Sequence, residues 1–201
     1  MSDAERDGAF YFDLASPLSY LAAERVLHVL PGPLPWVPIL ARELPDAERL
    51  QAWRCENEES IFRCELERRA LALGLQPLRW PGDFPFDSSL AMRAATYARG
   101  IGRVVAFAQA AFRQAFAAGH SLADSDFVAI AGAACEVHPR ALLGGAALYS
   151  VSKELQRATE HAALLGVSDV PAVRLGGRTF VGEGALEGAA ALCGAWPAGT
   201  R

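Results

Sequence analysis

The chain has 201 residues, of which 52% are apolar and 21% are charged, and its formal net charge is −4. This apolar content excludes a disordered chain, and the acidic balance offers no basic field for nucleic acid or anionic lipid. We therefore expect a globular protein that acts on small molecules, with no nucleic acid or membrane among its partners.

The first predicted elements are a strand and a helix. Residues 9–14 form a short apolar and aromatic run, which is typical of a buried strand. Ser16 is a good helix cap, and Pro17 suits the first helical position. Apolar residues then recur at helical spacing, so the pattern predicts one helix over 17–30, ended by Pro31.

A second strand and a long helical block follow. Residues 34–40 read as a strand, and Pro38 favours a position at the edge of the sheet because proline cannot donate to a ladder. The middle of the chain is rich in Ala, Leu, Arg and Glu, and helical patterns occupy residues 47–73, 88–99, 101–118, 124–135 and 138–146. We expect this block to be entirely helical.

Strand patterns return near the C-terminus. A helix is predicted over 153–165, and it is followed by a strand at 172–175, a Gly176-Gly177 turn and a partner strand at 178–181. A last helix begins near Ala185. The sheet is therefore expected to take its strands from both ends of the chain, with the helical block inserted between them.

The N-terminus and the cysteines suggest a cellular compartment. Residues 1–8 are largely charged and lack the apolar core of a signal peptide, so we expect a cytoplasmic location. The cysteines form no C-x-x-C pair and stand at no zinc-ligand spacing; they are Cys55, Cys64, Cys135 and Cys193. Free thiols and no metal site are the expectation.

Three stretches of sequence together resemble one family. They are FYFDLASPLSYLA at 10–22, LRWPGDFPFDSSLAMRA at 78–94 and GVSDVPAVRLGGRTFVGEGAL at 166–186. The chain resembles the DsbA-like branch of the thioredoxin superfamily, and within it the 2-hydroxychromene-2-carboxylate isomerases and kappa-class glutathione transferases. The resemblance implies an α/β, thioredoxin-like fold with a large all-α helical insertion. Residues 8–44 plus 151–195 would form the thioredoxin-like domain, and residues 45–150 the inserted helical domain.

Ser16 is the candidate catalytic residue. Redox members of the superfamily open this helix with C-x-x-C, whereas residues 16–19 here read Ser-Pro-Leu-Ser. Disulfide exchange needs a thiolate and a partner sulfur, so this sequence disfavours a dithiol oxidoreductase. In glutathione-using relatives the family serine holds the cofactor's thiolate, and the resemblance implies that role for Ser16. The alternative is that Ser16 serves only as a helix cap.

The resemblance also implies a glutathione-binding edge near the C-terminus. Val170 would pair its backbone with the glutathione peptide, and Pro171 would follow a cis peptide bond, although an ordinary trans proline would also suit an edge strand. Relatives that use glutathione commonly carry an aspartate for the γ-glutamyl amine, at a position that Gly184 occupies here. Glu183 either reaches that amine or acts as an acid at a helix N-terminus.

Several functions are compatible with these residues. The resemblance favours a glutathione-dependent isomerase of the 2-hydroxychromene-2-carboxylate type that uses glutathione or another small thiol and acts on a small-molecule substrate. A kappa-class-like glutathione transferase is the nearest alternative. The chain could instead be a non-redox module that binds a thiol or peptide without turnover, or an oxidoreductase that uses Cys55 or Cys64. A homodimer is expected by analogy with such relatives.

Overall fold

The structure is a computed structural model that describes residues 8–45, 47 and 56–194. Its strands form one sheet in the order β2-β1-β3-β4, where β1 is Ala9–Phe12, β2 is Trp36–Pro38, β3 is Ala172–Leu175 and β4 is Arg178–Val181. β1 and β2 run parallel, whereas β1–β3 and β3–β4 are antiparallel. Strands from the two ends of the chain therefore pair directly, as the sequence predicts.

Strand β2 lies at an edge of the sheet, as its proline predicts. The Ile39 N–H donates to the Phe12 carbonyl at 3.1 Å, so the backbone nitrogen of Pro38, one residue earlier, faces away from β1. The strand is shorter than the predicted 34–40, because Pro35 has no N–H and contributes only a carbonyl, which accepts from Phe10 at 2.9 Å.

Strand β1 is buried on both faces, which explains its apolar run. On one face, Phe10 and Phe12 are fully buried and pack edge-on against Trp36, at ring-centroid distances of 4.9 and 5.8 Å. On the other face, Tyr11 belongs to a second core cluster with Val170. The sheet is thus covered on both sides, and its centre is held by aromatic contacts.

Helices make up most of the rest of the described chain. They are α1 (Pro17–Ala23), α2 (Val26–Val29), α3 (Glu56–Ala72), α4 (Ser89–Gly100), α5 (Val104–Phe116), α6 (Ser125–Ala134), α7 (Pro139–Ala146), α8 (Tyr149–Leu164) and α9 (Ala185–Gly194), with a 3₁₀ turn at Ala41–Glu43. The first part of the predicted helix 47–73 lies outside the described residues. Among the helices described, none has the length and apolar character needed to cross a bilayer.

The single helix predicted over 17–30 is wrong, because the structure divides it into α1 and α2. The break falls at Glu24 and Arg25, whose side chains contact two different helices. Glu24 accepts two hydrogen bonds from Arg113 of α5, at 2.7 and 2.8 Å, and Arg25 pairs with Glu187 of α9 at 2.7 Å. These contacts are tertiary, so helical periodicity alone could not reveal them.

The helical insertion shares one core with the sheet. Phe112 of α5 is fully buried, and its ring lies 5.9 Å from that of Phe12 and 6.2 Å from that of Tyr20. The same cluster continues into α6 and α7 through Val128 and Leu142.

The predicted α/β, thioredoxin-like fold with a large helical insertion is confirmed. The proposed division into residues 8–44 plus 151–195 and 45–150 stays a prediction.

Candidate functional site

The turn between β1 and α1 is organised by a buried carboxylate. Asp13 is only 4% exposed, and its two oxygens accept from the N–H groups of Ala15 and Ala41, each at 2.9 Å. Burial raises the pKa of the Asp13 carboxyl, although these hydrogen bonds oppose that shift. The Ser16 N–H donates to the Asp13 carbonyl at 3.0 Å. Asp13 therefore fixes the loop that presents Ser16.

Asp13 was not among the predicted residues of the site. Its signal was present, since Asp13 is the one acidic residue inside the apolar run at 9–14. A carboxylate in such a run must find donors when it is buried. Strand β1 ends at Phe12, two residues before the predicted boundary, and the Asp13 carboxylate that follows it binds these N–H groups.

Ser16 caps helix α1. Its backbone is extended, with φ −93° and ψ 113°, and its hydroxyl oxygen accepts from the Ser19 N–H at 3.1 Å. Pro17 occupies the first helical position and has no N–H to offer. The capping role considered for Ser16 is therefore present in the structure. It uses the oxygen of the hydroxyl and leaves the hydroxyl proton for another partner.

The hydroxyl of Ser16 also reaches the distant proline turn. Ser16 Oγ lies 3.5 Å from the carbonyl oxygen of Val170, and the peptide bond between Val170 and Pro171 is cis. A distance of 3.5 Å is at the outer limit for a hydrogen bond, so the proton is weakly held. The structure thus brings together three of the predicted site residues and leaves the Ser16 proton able to turn toward a ligand.

A carboxylate stands directly beside this turn. The Val170 N–H donates to Oδ1 of Asp169 at 2.7 Å. Burial raises the pKa of the Asp169 carboxyl, and the hydrogen bond from Val170 opposes that shift. Asp169 was not predicted as a site residue, although the sequence places this acid immediately before the Val-Pro pair.

A cavity of about 330 Å³ opens next to the turn. Leu18 of α1 and Pro171 line it, so it adjoins the Ser16 loop and the proline turn. Its other lining residues are Leu21, Ala22, Arg25, Arg69, Leu73, Gly182, Glu183, Gly184, Leu186 and Glu187. The wall contributed by α1 is apolar, and the opposite side carries charge. This space can take an organic molecule with a polar end.

Both predicted residues of the 182–184 turn line this cavity. Glu183 forms an ion pair with Arg69 of α3. Gly184 is exposed, and a Cβ built on it would meet no atom within 4 Å. A second ion pair in the cavity joins Arg25 to Glu187 at 2.7 Å. The two arginines were not predicted, because their approach depends on how α2 and α3 pack.

The cysteines that the structure describes lie outside the lining of this cavity. Cys64 is exposed on α3, Cys135 is buried and Cys193 is partly buried, while Cys55 lies outside the described residues. Burial raises the pKa of the thiols of Cys135 and Cys193. Because the thiolate is the reactive form, both are poor nucleophiles. None of the three described cysteines lines the cavity.

Comparison with protein families gives one match. Residues 9–192 match the sequence profile of the DSBA-like thioredoxin domain, which covers nearly the whole chain. Comparison with curated protein sequences gives no significant match.

Two solved structures resemble the chain over almost its full length. A 2-hydroxychromene-2-carboxylate isomerase superposes with a TM-score of 0.83 at 19% identity, covering 93% of this chain and 94% of that one. A probable DsbA oxidoreductase from Streptomyces coelicolor superposes with a TM-score of 0.72 at 20% identity, covering 96% and 91%. At these identities the likeness shows the fold alone.

Proposed function

This chain belongs to the family of DSBA-like thioredoxin domains, and from that premise we propose that it is a thiol-dependent isomerase. Glutathione is the proposed thiol, and the reaction is of the 2-hydroxychromene-2-carboxylate isomerase type. Ser16 is the proposed catalytic residue, and Val170, Pro171, Glu183 and Gly184 surround the bound thiol compound. The cytoplasmic location and the homodimer remain predictions.

The observation that carries this proposal is the contact between Ser16 and Val170. A hydroxyl whose oxygen lies 3.5 Å from the carbonyl oxygen that accepts its proton can redirect that proton to a sulfur at little cost. The hydroxyl oxygen stays fixed by the Ser19 N–H, so the donor is already oriented before a ligand arrives. A preorganised donor of this kind stabilises a thiolate more than a thiol.

The residues around the cavity fit a thiol compound with charged ends. Glutathione carries an ammonium group and carboxylates, and the cavity holds two carboxylates and two guanidinium groups in the pairs Arg69–Glu183 and Arg25–Glu187. Charged ligand groups can exchange with these pairs without leaving a buried charge alone, because all four side chains are partly exposed. Gly184 leaves space where relatives carry an acid.

The bound thiol and the residues of the protein contribute different parts of the proposed reaction. When bound, the thiol supplies a nucleophilic sulfur whose reversible addition to an unsaturated carbon permits rotation about the former double bond. Ser16 donates to the sulfur position and so favours the ionised thiol. The apolar residues Leu18, Leu21 and Leu73 line the space for the substrate and limit the entry of water.

Isomerase chemistry fits this chain better than disulfide chemistry. An isomerase needs one sulfur that returns unchanged, and a bound cofactor can supply it. A dithiol oxidoreductase needs two sulfurs from the protein, and Ser16 and Ser19 stand where they would be. Oxidoreductase chemistry at Cys64 is disfavoured further because Cys64 does not line the cavity, and Cys55 lies outside the described residues. Replacing both cysteines should leave any disulfide reductase activity unchanged.

Two other functions use the same site. A kappa-class-like glutathione transferase would need the same stabilised thiolate, and only the substrate would differ. A thiol-binding or peptide-binding module without turnover is favoured by one observation, the absence of an acidic side chain at Gly184. Steady-state assays with 2-hydroxychromene-2-carboxylate and with electrophilic transferase substrates separate these candidates.

Isothermal titration with reduced glutathione tests the proposal. We expect saturable binding that weakens by at least about tenfold in Ser16→Gly, because a hydrogen bond to a charged group is worth roughly 1.5–3 kcal/mol. Glycine is the informative replacement, since it costs a helix cap only a few tenths of a kcal/mol.

Ser16→Thr serves as the matched control for this titration, because threonine keeps both the hydroxyl and the cap. Its affinity should stay near that of the unmodified chain. If glutathione does not bind at millimolar concentration, the proposal of glutathione as the thiol is wrong. Equal affinity in Ser16→Gly and in the unmodified chain would remove Ser16 from the site.

A further inference from the structure

The backbone of Val170 presents two groups beside Ser16, and they differ in availability. Among the residues that the structure describes, its carbonyl oxygen has only the long 3.5 Å contact from Ser16. Its N–H donates to Asp169 Oδ1 at 2.7 Å. Val170 as a whole is 2% exposed. In the free chain, therefore, the acceptor of this buried residue is weakly engaged, whereas its donor is occupied by a short hydrogen bond.

The hydrogen bond from the Val170 N–H to Asp169 belongs to a strong class of hydrogen bonds. A hydrogen bond from an amide to an ionised carboxylate is shorter and about twice as strong as one between neutral groups. The carboxylate is partly buried, so water competes poorly for the same N–H. Asp169 also has no ion-pair partner in the part of the chain that the structure describes, so no cation draws it away from Val170.

We infer that Asp169 competes with the peptide of the bound thiol compound for the Val170 N–H, and so sets the affinity of this site for thiol peptides. The inference rests on the proposed function, which places the ligand's peptide against Val170. A ligand that pairs with both backbone groups of Val170 must first displace the Asp169 carboxylate. A ligand that needs only the carbonyl does not.

This competition gives the site a preference among thiol compounds. A peptide thiol offers a carbonyl oxygen for the Val170 N–H, but that neutral acceptor replaces an ionised one and gains little. A small thiol without a peptide loses nothing by leaving the Asp169 bond intact. Asp169 therefore reduces the difference in affinity between a peptide thiol and a small thiol that has no peptide.

Two substitutions separate the hydrogen bond of Asp169 from its charge. Asp169→Asn removes the charge and keeps an acceptor oxygen, whereas Asp169→Ala removes both. Titration with S-methylglutathione, which has no ionisable thiol, reports the contacts of the peptide and its charged ends without a contribution from the thiolate. We expect affinity to rise by about tenfold in Asp169→Ala and by less in Asp169→Asn, because the neutral amide still competes for the N–H.

Amide hydrogen exchange at Val170 provides a readout that does not depend on the ligand. In the free protein, exchange should be faster in Asp169→Ala than in the unmodified chain, because the N–H has lost its acceptor. Adding S-methylglutathione to Asp169→Ala should slow it again. Asp124→Ala is the matched control, since Asp124 likewise accepts one backbone N–H, that of Asp126 at 2.8 Å, but in α6. It should change neither quantity.

The outcomes distinguish this inference from the proposed function. Binding of equal strength in Asp169→Ala and the unmodified chain, or unchanged Val170 exchange in the free variant, would overturn the inference alone. Equal gains in Asp169→Asn and Asp169→Ala would also overturn it, since charge repulsion would then explain the effect. A third outcome is that no variant binds S-methylglutathione, while Val170 exchange is still accelerated in Asp169→Ala. That result would overturn the proposed use of a glutathione-like ligand, and with it the competition for the Val170 N–H.

Discussion

At the scale of single residues, the Ser16 loop depends on a carboxylate that is removed from water. Asp13 binds the N–H of Ala15 on one side of the loop and that of Ala41 in the 3₁₀ turn on the other. It thereby joins the end of β1 to the segment that follows β2. Loss of this carboxylate would leave two N–H groups without a partner in or near the core.

Asp13→Ala should therefore destabilise the protein strongly. We expect the free energy of unfolding to fall by about 2–4 kcal/mol, since each unsatisfied buried donor costs roughly 1–3 kcal/mol. Urea unfolding followed by circular dichroism measures this loss. Asp124→Ala, which removes an exposed cap from α6, should cost only about 1 kcal/mol. Equal losses in the two variants would show that Asp13 does not organise the loop.

A second residue-scale prediction concerns Gly184. An aspartate at this position meets open space, because no atom lies within 4 Å of the place where its Cβ would stand. Gly184→Asp should bind glutathione several-fold more tightly, since a new carboxylate can pair with the γ-glutamyl ammonium group. N-acetylcysteinylglycine has no ammonium group and should bind both chains equally in calorimetric titration. A gain for both ligands, or for neither, would contradict this assignment.

At the scale of elements, the sequence predicted the strands and helices well where local pattern determines them. The β3–β4 hairpin has its predicted bounds, since Gly176 and Gly177 both take positive φ in the turn. Pro38 placed β2 at an edge for a local reason as well. By contrast, the two residues at the break between α1 and α2 pair with Arg113 and Glu187, which are far away in sequence. Periodicity carries no information about such partners.

The residues of the candidate site were likewise predicted where the sequence carries a signal and missed where tertiary packing determines their position. Ser16, Val170 and Pro171 were predicted to meet because the resemblance covers both ends of the chain, and the structure places them together. Arg25 and Arg69 were missed, since they enter the cavity only through the packing of α2 and α3. Asp13 and Asp169 were visible as acids next to apolar residues, but sequence alone does not identify the N–H groups that each accepts.

Helix α5 is the element that joins the insertion to the sheet. Phe112 is fully buried between Phe12 and Tyr20, so Phe112→Ala should lower the free energy of unfolding by about 3–5 kcal/mol. Phe127 is only partly buried and stacks on His120, so Phe127→Ala should cost clearly less. Chemical denaturation of both variants makes the comparison. Similar losses would mean that α5 does not anchor the insertion.

At the scale of the whole molecule, the continuous core predicts that sheet and insertion unfold together. One hydrophobic cluster extends from Phe10 in β1 through Phe112 to Leu142 in α7. We expect a single cooperative transition, in which the near-ultraviolet signal of the aromatic core and the far-ultraviolet signal of the helices change at the same denaturant concentration. Two separated midpoints would show that the insertion is an independent folding unit.

The whole molecule also accounts for how the proposed site for a thiol compound is assembled. Its N-terminal part supplies the Ser16 hydroxyl, its C-terminal part supplies Val170 and Pro171, and the sheet order places β1 beside β3 so that the two meet. The insertion adds Arg69 and Leu73 to the adjoining cavity. Each part contributes to a site that none contains alone.

The most direct test is the pKa of the glutathione thiol when it is bound at saturation. Thiolate absorbance in the ultraviolet, followed across pH, should show that the unmodified chain lowers this pKa by about one unit relative to free glutathione, because one hydrogen bond favours the anion. Ser16→Gly, which still binds at higher ligand concentration, should lose most of that shift. An unshifted pKa in the unmodified chain, or the same shift in both proteins, would contradict the role assigned to Ser16.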